Sequence, residues 1–547
     1  MRQLIERRRS ALGLILLTGL LLRSYGLDNQ SLWIEEIYSI VIRGSRPASE
    51  ILFAPATDIH PPLHYLLLHY WMELFGGSVL ATRAYTVIIG VAGIFVVYVL
   101  GTSLFNVKVG LIGAALLAVS PMHIHASRTV EIYGLLLLLS VVSLYGFVKL
   151  FEGSKSQNIT LYLIATVLLL LTHLYGIFIL VAQNAYVLSA HFSDSEHHQP
   201  YFSLPQWFSL QALLGIVALP GLFRALQVTV PAMIGTTDDY IGWIPEMNIY
   251  RVLETFLYYS GFPNYYPYLV DSTGIRLLSY LVLGIAVLCF GVAFGEHQDQ
   301  SQPETLVPRK PEVDGLYLLS AVLASVILLP FAISKLLNPI YLTEPTLPAI
   351  VPFFLIVALG VSRLPNERIQ TVVAVLLVGS LLLSGGVYFS TNSEEPWNEV
   401  APHVESSATS DDLVVFHSDW LVHSYNYYSQ REDYDTTGYS QEFTEEEVDQ
   451  LQTQADNNER IWIVTRSASD SEPVIETVDS THSLVAHDQF GQIEVYLFVD
   501  GENEAQQVAE NDTTNRQPSF ALTTSVSTTT AIPEARRSPI PRVNVLS

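Results

Sequence analysis

The sequence holds a single cysteine, Cys289, inside an apolar run. It allows no intrachain disulfide and no cysteine-based metal site. Charge is scarce too: 14% of the 547 residues are Asp, Glu, Lys or Arg, against roughly 25% in an ordinary soluble domain. Cationic residues are scarcest, with 27 Lys and Arg against 52 Asp and Glu, a net charge of −25. Such a balance argues against nucleic acid as a partner. Phosphate-cradling Gly loops, G-x-S-x-G and H-E-x-x-H are all missing. Without them, nucleotide-driven transport and soluble-type nucleotide-sugar binding lack support.

Apolar residues are abundant, at 50% of the chain, and they come in runs such as "VIIGVAGIFVVYVLG" (87–101) and "TVVAVLLVGSLLLSGG" (371–386). The pattern is that of an α-helical polytopic membrane protein. About eleven spans are expected: 11–27, 79–101, 109–126, 131–151, 159–172, 174–191, 206–223, 275–294, 315–333, 346–363 and 369–389. The head "MRQLIERRRS" resembles a signal peptide but lacks a cleavage site, so it reads as an uncleaved first span. The segment 60–76 has a short helical part and is expected to lie at the membrane surface. Positive charges then put the N-terminus in the cytoplasm. They put 28–78, the turns near 128 and 174, the loop 224–274, 334–345 and the tail outside.

Three domains are expected: a membrane domain over 1–390 with its first outer loop at 28–78, an acidic extracytoplasmic α/β domain over 391–500, and a disordered tail over 501–547. Residues 390–547 carry 29 Asp and Glu against 7 Lys and Arg. Dense like charge of this kind suits high salt, which points to a halophilic, archaeal source.

Polar clusters sit in the outer segments. "SLWIEEIYSI" (31–40) places Glu35 and Glu36 between Trp33 and Tyr38. They read either as solvated loop carboxylates or as a buried base beside its neighbour. His60 opens "HPPLHY", as a helix cap or a phosphate donor. "SPMHIHASRTVEIYG" (120–134) gathers His123, His125, Arg128, Glu131 and Tyr133. Arg128 and Glu131 could form a local ion pair, and the i, i+2 histidines do not share a helix face. His173, Tyr175, Trp243, Lys335, Tyr341 and Glu344 complete the set. Aromatics beside carboxylates suit sugars, although an amphipathic surface helix would also explain the Trp243 segment.

Over about 30–390 the order of these blocks resembles the GT-C class of membrane glycosyltransferases. The nearest pattern is that of the protein O-mannosyltransferases and the lipid A aminoarabinose transferase. "SLWIEEIYS" is similar to S-L-W-x-D-E-x-x-S, "HPPLHYLLLHYW" to the family's H-P-P-L block, and "ATRAYTVIIG" to its Arg-bearing segment through Arg83. "SPMHIHASRTVEIYG" matches a block in which the family carries Glu at the position of Thr129 and Arg at that of Glu131. The resemblance implies an inverting transferase using a polyprenyl (dolichyl) phosphate sugar and a protein, glycan or lipid acceptor. Glu35 and Glu36 are then the catalytic candidates. His60, Arg83, Arg128 and Lys335 are candidates for the donor phosphate, and Glu131, Tyr133, His173, Tyr175, Trp243 and Tyr341 for substrate. No metal site is assigned, although a divalent metal is compatible with the class. Two alternatives are an inactive partner or assembly protein of the same fold and a lipid-linked sugar transporter. A transporter would want charges within its spans, which hold almost none.

Overall fold

The computed structural model describes residues 2–53, 59–153, 155–192, 202–236, 244–262, 273–295, 314–390, 395–431, 433–440, 443–466 and 471–501. Residues 502–547 of the tail expected to be disordered, and Trp243, lie outside them.

Helix α1 (Arg2–Ser24) leads into α2 (Ile34–Ile37), a π-helical turn (Tyr38–Gly44), α3 (Ala48–Phe53) and α4 (Leu63–Phe75), which lie in or beside the loop expected outside the membrane. The membrane domain continues through α5 (Val79–Leu104), α6 (Val107–Val119), α7 (Pro121–Ala126), α8 (Tyr133–Glu152), α9 (Ser156–Leu170), α10 (Gly176–Phe192) and α11 (Leu204–Met233). It ends with α12 (Ile249–Tyr259), α13 (Thr273–Gly295), α14 (Gly315–Leu336), a 3-10 turn (Glu344–Ala349), α15 (Ile350–Arg363) and α16 (Glu367–Ser390).

Among the described residues, seven helices are long and apolar enough to cross a membrane, and α6, α9 and α10 are shorter apolar helices. The expected span 109–126 is broken: Ser120 caps α7, Pro121 follows it, and α6 has already ended at Val119. At 1.5 Å per residue the 13 residues of α4 reach about 20 Å, less than the roughly 30 Å of a hydrocarbon core. Helix α15 is buried on every face from Ile350 to Val361, so it forms the centre of the helical bundle.

Beyond α16 lie α17 (Trp397–Ser407), β1 (Leu413–His417), α18 (Leu421–Tyr428), β2 (Asp435–Tyr439), α19 (Glu445–Ala455), β3 (Arg460–Thr465), α20 (Glu472–Asp479), β4 (His482–Phe490) and β5 (Ile493–Asp500). The sheet order is β2-β1-β3-β5-β4. Strands β2, β1 and β3 are parallel, and β5 and β4 are antiparallel. Alternate residues of β1 serve two cores: Val414 and Phe416 pack with α17 and α18, whereas Leu413 and Val415 pack with α19 and α20. The α17–α18 face meets the first outer loop. There Leu32 donates its backbone N–H to Tyr428 Oη at 2.7 Å, and Tyr427 Oη donates to the Gly77 carbonyl at 3.0 Å.

Gly360 marks the tightest helix crossing: a Cβ there would lie 2.0 Å from the Cys289 carbonyl oxygen of α13. Gly360→Ala would add up to about 1 kcal/mol of helix propensity, yet it forces α13 and α15 apart. The expected result is a lower thermal unfolding temperature in detergent; an unchanged or raised one contradicts this packing.

Candidate active site

The site begins with an ion pair. Arg83 on α5 donates to Glu36 through Nε (2.9 Å) and Nη2 (2.6 Å). Its remaining donors go to the backbone carbonyls of Leu27, Gln30 and Ser31. Glu36 in turn accepts from the backbone N–H of Trp33 at 3.1 Å and of Val130 at 2.9 Å. One fully buried carboxylate therefore ties the first outer loop to α5 and to the turn between α7 and α8. Every oxygen is hydrogen-bonded, as a buried charge requires.

Successive residues of a helical turn diverge by about 100°. With Glu36 facing Arg83, Glu35 lines a cavity of about 780 Å³. The first loop also gives it Trp33 and Tyr38, the start of α4 gives His60 and Tyr65, and the α7–α8 turn gives His125, Thr129, Glu131 and Tyr133. Leu342 and Glu344 form another wall. The C-terminal α/β domain adds Asp419, Trp420 and His423.

Burial, with a further push from Glu395, raises the Glu35 carboxyl to about 7 against the pull of its own backbone hydrogen bond and of Arg466. Burial, then the nearby charges of Glu35, Glu36 and Glu344, raise Glu131 well above the usual carboxylate range. His125 is pushed down to about 3 by burial and by Arg128 and Arg83, so its ring is neutral. The cavity thus holds Glu35 poised near neutrality beside Glu131 and Glu344, both raised by burial, an arrangement in which an acid and a base can coexist.

The sequence profile of the dolichyl-phosphate-mannose-protein mannosyltransferases matches residues 59–218. Among curated proteins, none matches the chain by sequence. ArnT from Cupriavidus metallidurans, solved with undecaprenyl phosphate, is 13% identical over 88% of this chain and 97% of its own, with a TM-score of 0.54. The oligosaccharyltransferase of Archaeoglobus fulgidus, solved with Zn and sulfate, is 11% identical over 90% of this chain and 73% of its own, with a TM-score of 0.53. The same enzyme tethered to an acceptor peptide is 12% identical over 91% and 74%, with a TM-score of 0.52. The chain has the GT-C fold.

On this GT-C frame the sequence candidates part company. Glu35, His60, Glu131 and Tyr133 meet at one cavity. His173 stands behind them, with its ring 5.2 Å from that of His60 and 6.1 Å from that of Tyr133. Tyr175 Oη donates to the Ile340 carbonyl, and Tyr341 Oη is hydrogen-bonded to Thr255, so both hydroxyls brace the outer segments. Glu36 and Arg83 bind each other. Arg128, offered as half of a local ion pair or as a phosphate ligand, instead caps the end of α1. It donates to the carbonyls of Arg23, Tyr25 and Gly26 and lies over the Phe389 ring. Lys335 is exposed in the last turn of α14 and is not one of the described lining residues.

None of the described lining residues is Lys or Arg. Among the described residues, no group of three or more His, Cys, Asp or Glu is placed to hold a metal ion. Asp419, Trp420 and His423 escaped the sequence reading. "SDWLVHSYNYY" (418–428) is an aromatic cluster without a spacing that announces a site.

Glu36→Gln would leave a buried guanidinium without its counter-charge. The expected loss is about 3–5 kcal/mol of stability, measured by thermal unfolding in detergent; a loss below about 1 kcal/mol would show that the pair is dispensable.

Proposed function

We propose that this GT-C chain is a glycosyltransferase that moves a sugar, with inversion, from a polyprenyl (dolichyl) phosphate to a hydroxyl on an extracytoplasmic protein, glycan or lipid. The observation that carries the reading is Glu35: a cavity carboxyl fixed by the Glu36–Arg83 pair and raised to about 7. In its ionised form it takes the acceptor's proton as the acceptor oxygen attacks the anomeric carbon. The bond from that carbon to the phosphate oxygen breaks, and the lipid phosphate leaves with the electron pair.

Glu131, held protonated, and His60 are the donors offered to the phosphosugar, and pre-set donors of this kind act on developing charge. The aromatic walls suit a sugar ring. Similarity to ArnT bound to undecaprenyl phosphate, and to an oligosaccharyltransferase tethered to an acceptor peptide, supports this donor and acceptor class. The positive-charge pattern supports a cytoplasmic N-terminus and an α/β domain outside the membrane. A second reading, a GT-C-fold partner without transfer, is favoured by the lack of Lys or Arg among the described lining residues.

Membranes given a labelled polyprenyl-phosphate sugar separate the two. Glu35→Gln should cut transfer by about 10²–10⁴-fold, whereas Glu131→Gln, a neutral stand-in for a protonated acid, should stay within about threefold of wild type. Undiminished transfer by Glu35→Gln removes it as base, and no transfer by the wild type favours the partner reading. Because a base works deprotonated, wild-type kcat/KM should fall as pH drops through about 7. A flat profile between pH about 5 and 8 would contradict the assignment.

A further inference from the structure

In the outer sheet, β1 and β3 are parallel neighbours, but the chain leaves them on opposite faces. After β1 it enters α18, in the core shared with α17; after β3 it enters α20, in the core shared with α19. The carboxyl ends of two such strands open a crevice, the usual place for functional groups on a sheet of this kind. Here the crevice opens on the membrane domain's cavity. The segment after β1 supplies Asp419 and Trp420 to the cavity wall. The residue after β3 is Arg466, whose guanidinium carbon lies 5.9 Å from the centre of the Trp420 ring.

Arg466 Nε also lies 3.2 Å from Glu395 Oε1 and reaches Gln492 in the turn before β5. Glu395 comes from the segment that links α16 to the outer domain, and its side chain is 2% exposed. Its second oxygen accepts from Trp397 Nε1 at 3.2 Å. The structure therefore sets a buried carboxylate and a guanidinium, 40% exposed, from two different segments beside the wall that Trp420 forms, and the charges of both act on Glu35, which lines the same cavity.

We propose that the Glu395–Arg466 ion pair is a positioning device for Glu35: it holds Trp420 as the outer wall of the site and sets the electric field at the Glu35 carboxyl. The outer domain is then a working part of the site, and its docking decides whether the base is ready. This rests on the reading of Glu35 as the base.

The other groups around Glu35 have known places. Glu36 is neutralised by Arg83, and Tyr38 lies on the same loop. His60 and His125, both cavity residues, come from the start of α4 and from α7. Glu131 and Glu344 face it from the membrane domain, and Asp419 and His423 from the outer domain. Among the charges that act on Glu35, Arg466 is the cation, and its partner Glu395 opposes it in sign. Removing one member must therefore move Glu35 in the opposite direction from removing the other. A loosened structure would not produce opposite signs.

The test uses the full chain in detergent and needs no substrate. Infrared pH-difference spectra of each variant, with Glu35→Gln as the blank, isolate the Glu35 carboxyl band and its midpoint. Glu395→Gln should lower the midpoint, and Arg466→Gln should raise it, each by about half a pH unit or more. Arg466→Lys, which keeps the charge, should stay near wild type. Shifts of the same sign, or none, overturn the proposal. If Arg466→Gln does not fold, a Glu395→Gln midpoint that stays or rises overturns it alone. Because this midpoint is read without turnover, failure of Glu35 as base would appear in the transfer assay and leave these shifts in place.

Discussion

A buried carboxylate with a single guanidinium partner constrains everything around it. Glu36 and Arg83 are 0% and 5% exposed at their side chains and lie 2.6 Å apart. Neither can relax without leaving a charge uncompensated. Their remaining hydrogen bonds reach Trp33, Val130 and three carbonyls of the first outer loop. The pair thus fixes three segments relative to one another before any substrate is considered. Its effect on chemistry is indirect: by occupying one face of the turn it leaves Glu35 to the other, where the cavity lies.

The same economy of charge runs through the neighbouring segments. Arg128 caps α1, and Arg23, fully buried, donates to the carbonyls of Gly19, Leu117 and Ala118. Guanidiniums here hold helix ends and loops, and the cavity is left to acids, imidazoles and aromatic rings. Burial and the nearby carboxylates raise Glu131, which limits the negative charge within the cavity. The C-terminal α/β domain adds Asp419, Trp420 and His423 to the lining.

Much of the fold was legible because apolar runs and turn residues are local signals. The helices, the HPPL start of α4 and the strand-like runs of the outer domain all follow from composition and spacing. Glu35, His60 and Glu131 could be named as candidates because polar residues between apolar segments stand out. What local pattern could not supply was partnership. Arg83 looks equally fit to bind a phosphate or a carboxylate until the fold sets it against Glu36, 47 positions away. Arg128 looks like a partner for Glu131 until α1 presents its carbonyls. The contribution of the outer domain was hidden for the same reason: Trp420 and Arg466 meet only through parallel pairing of β1 with β3.

The proposed chemistry is transfer of a sugar from a lipid phosphate to an acceptor hydroxyl with inversion. Phosphorus NMR of the purified protein in nanodiscs, given a polyprenyl-phosphate sugar and acceptor-bearing membranes, tests it most directly, with proton NMR of the product's anomeric linkage. The account predicts a growing signal of free polyprenyl phosphate and a product of opposite anomeric configuration to the donor. Release of lipid phosphate with retained configuration, or no release with any acceptor fraction, would contradict it.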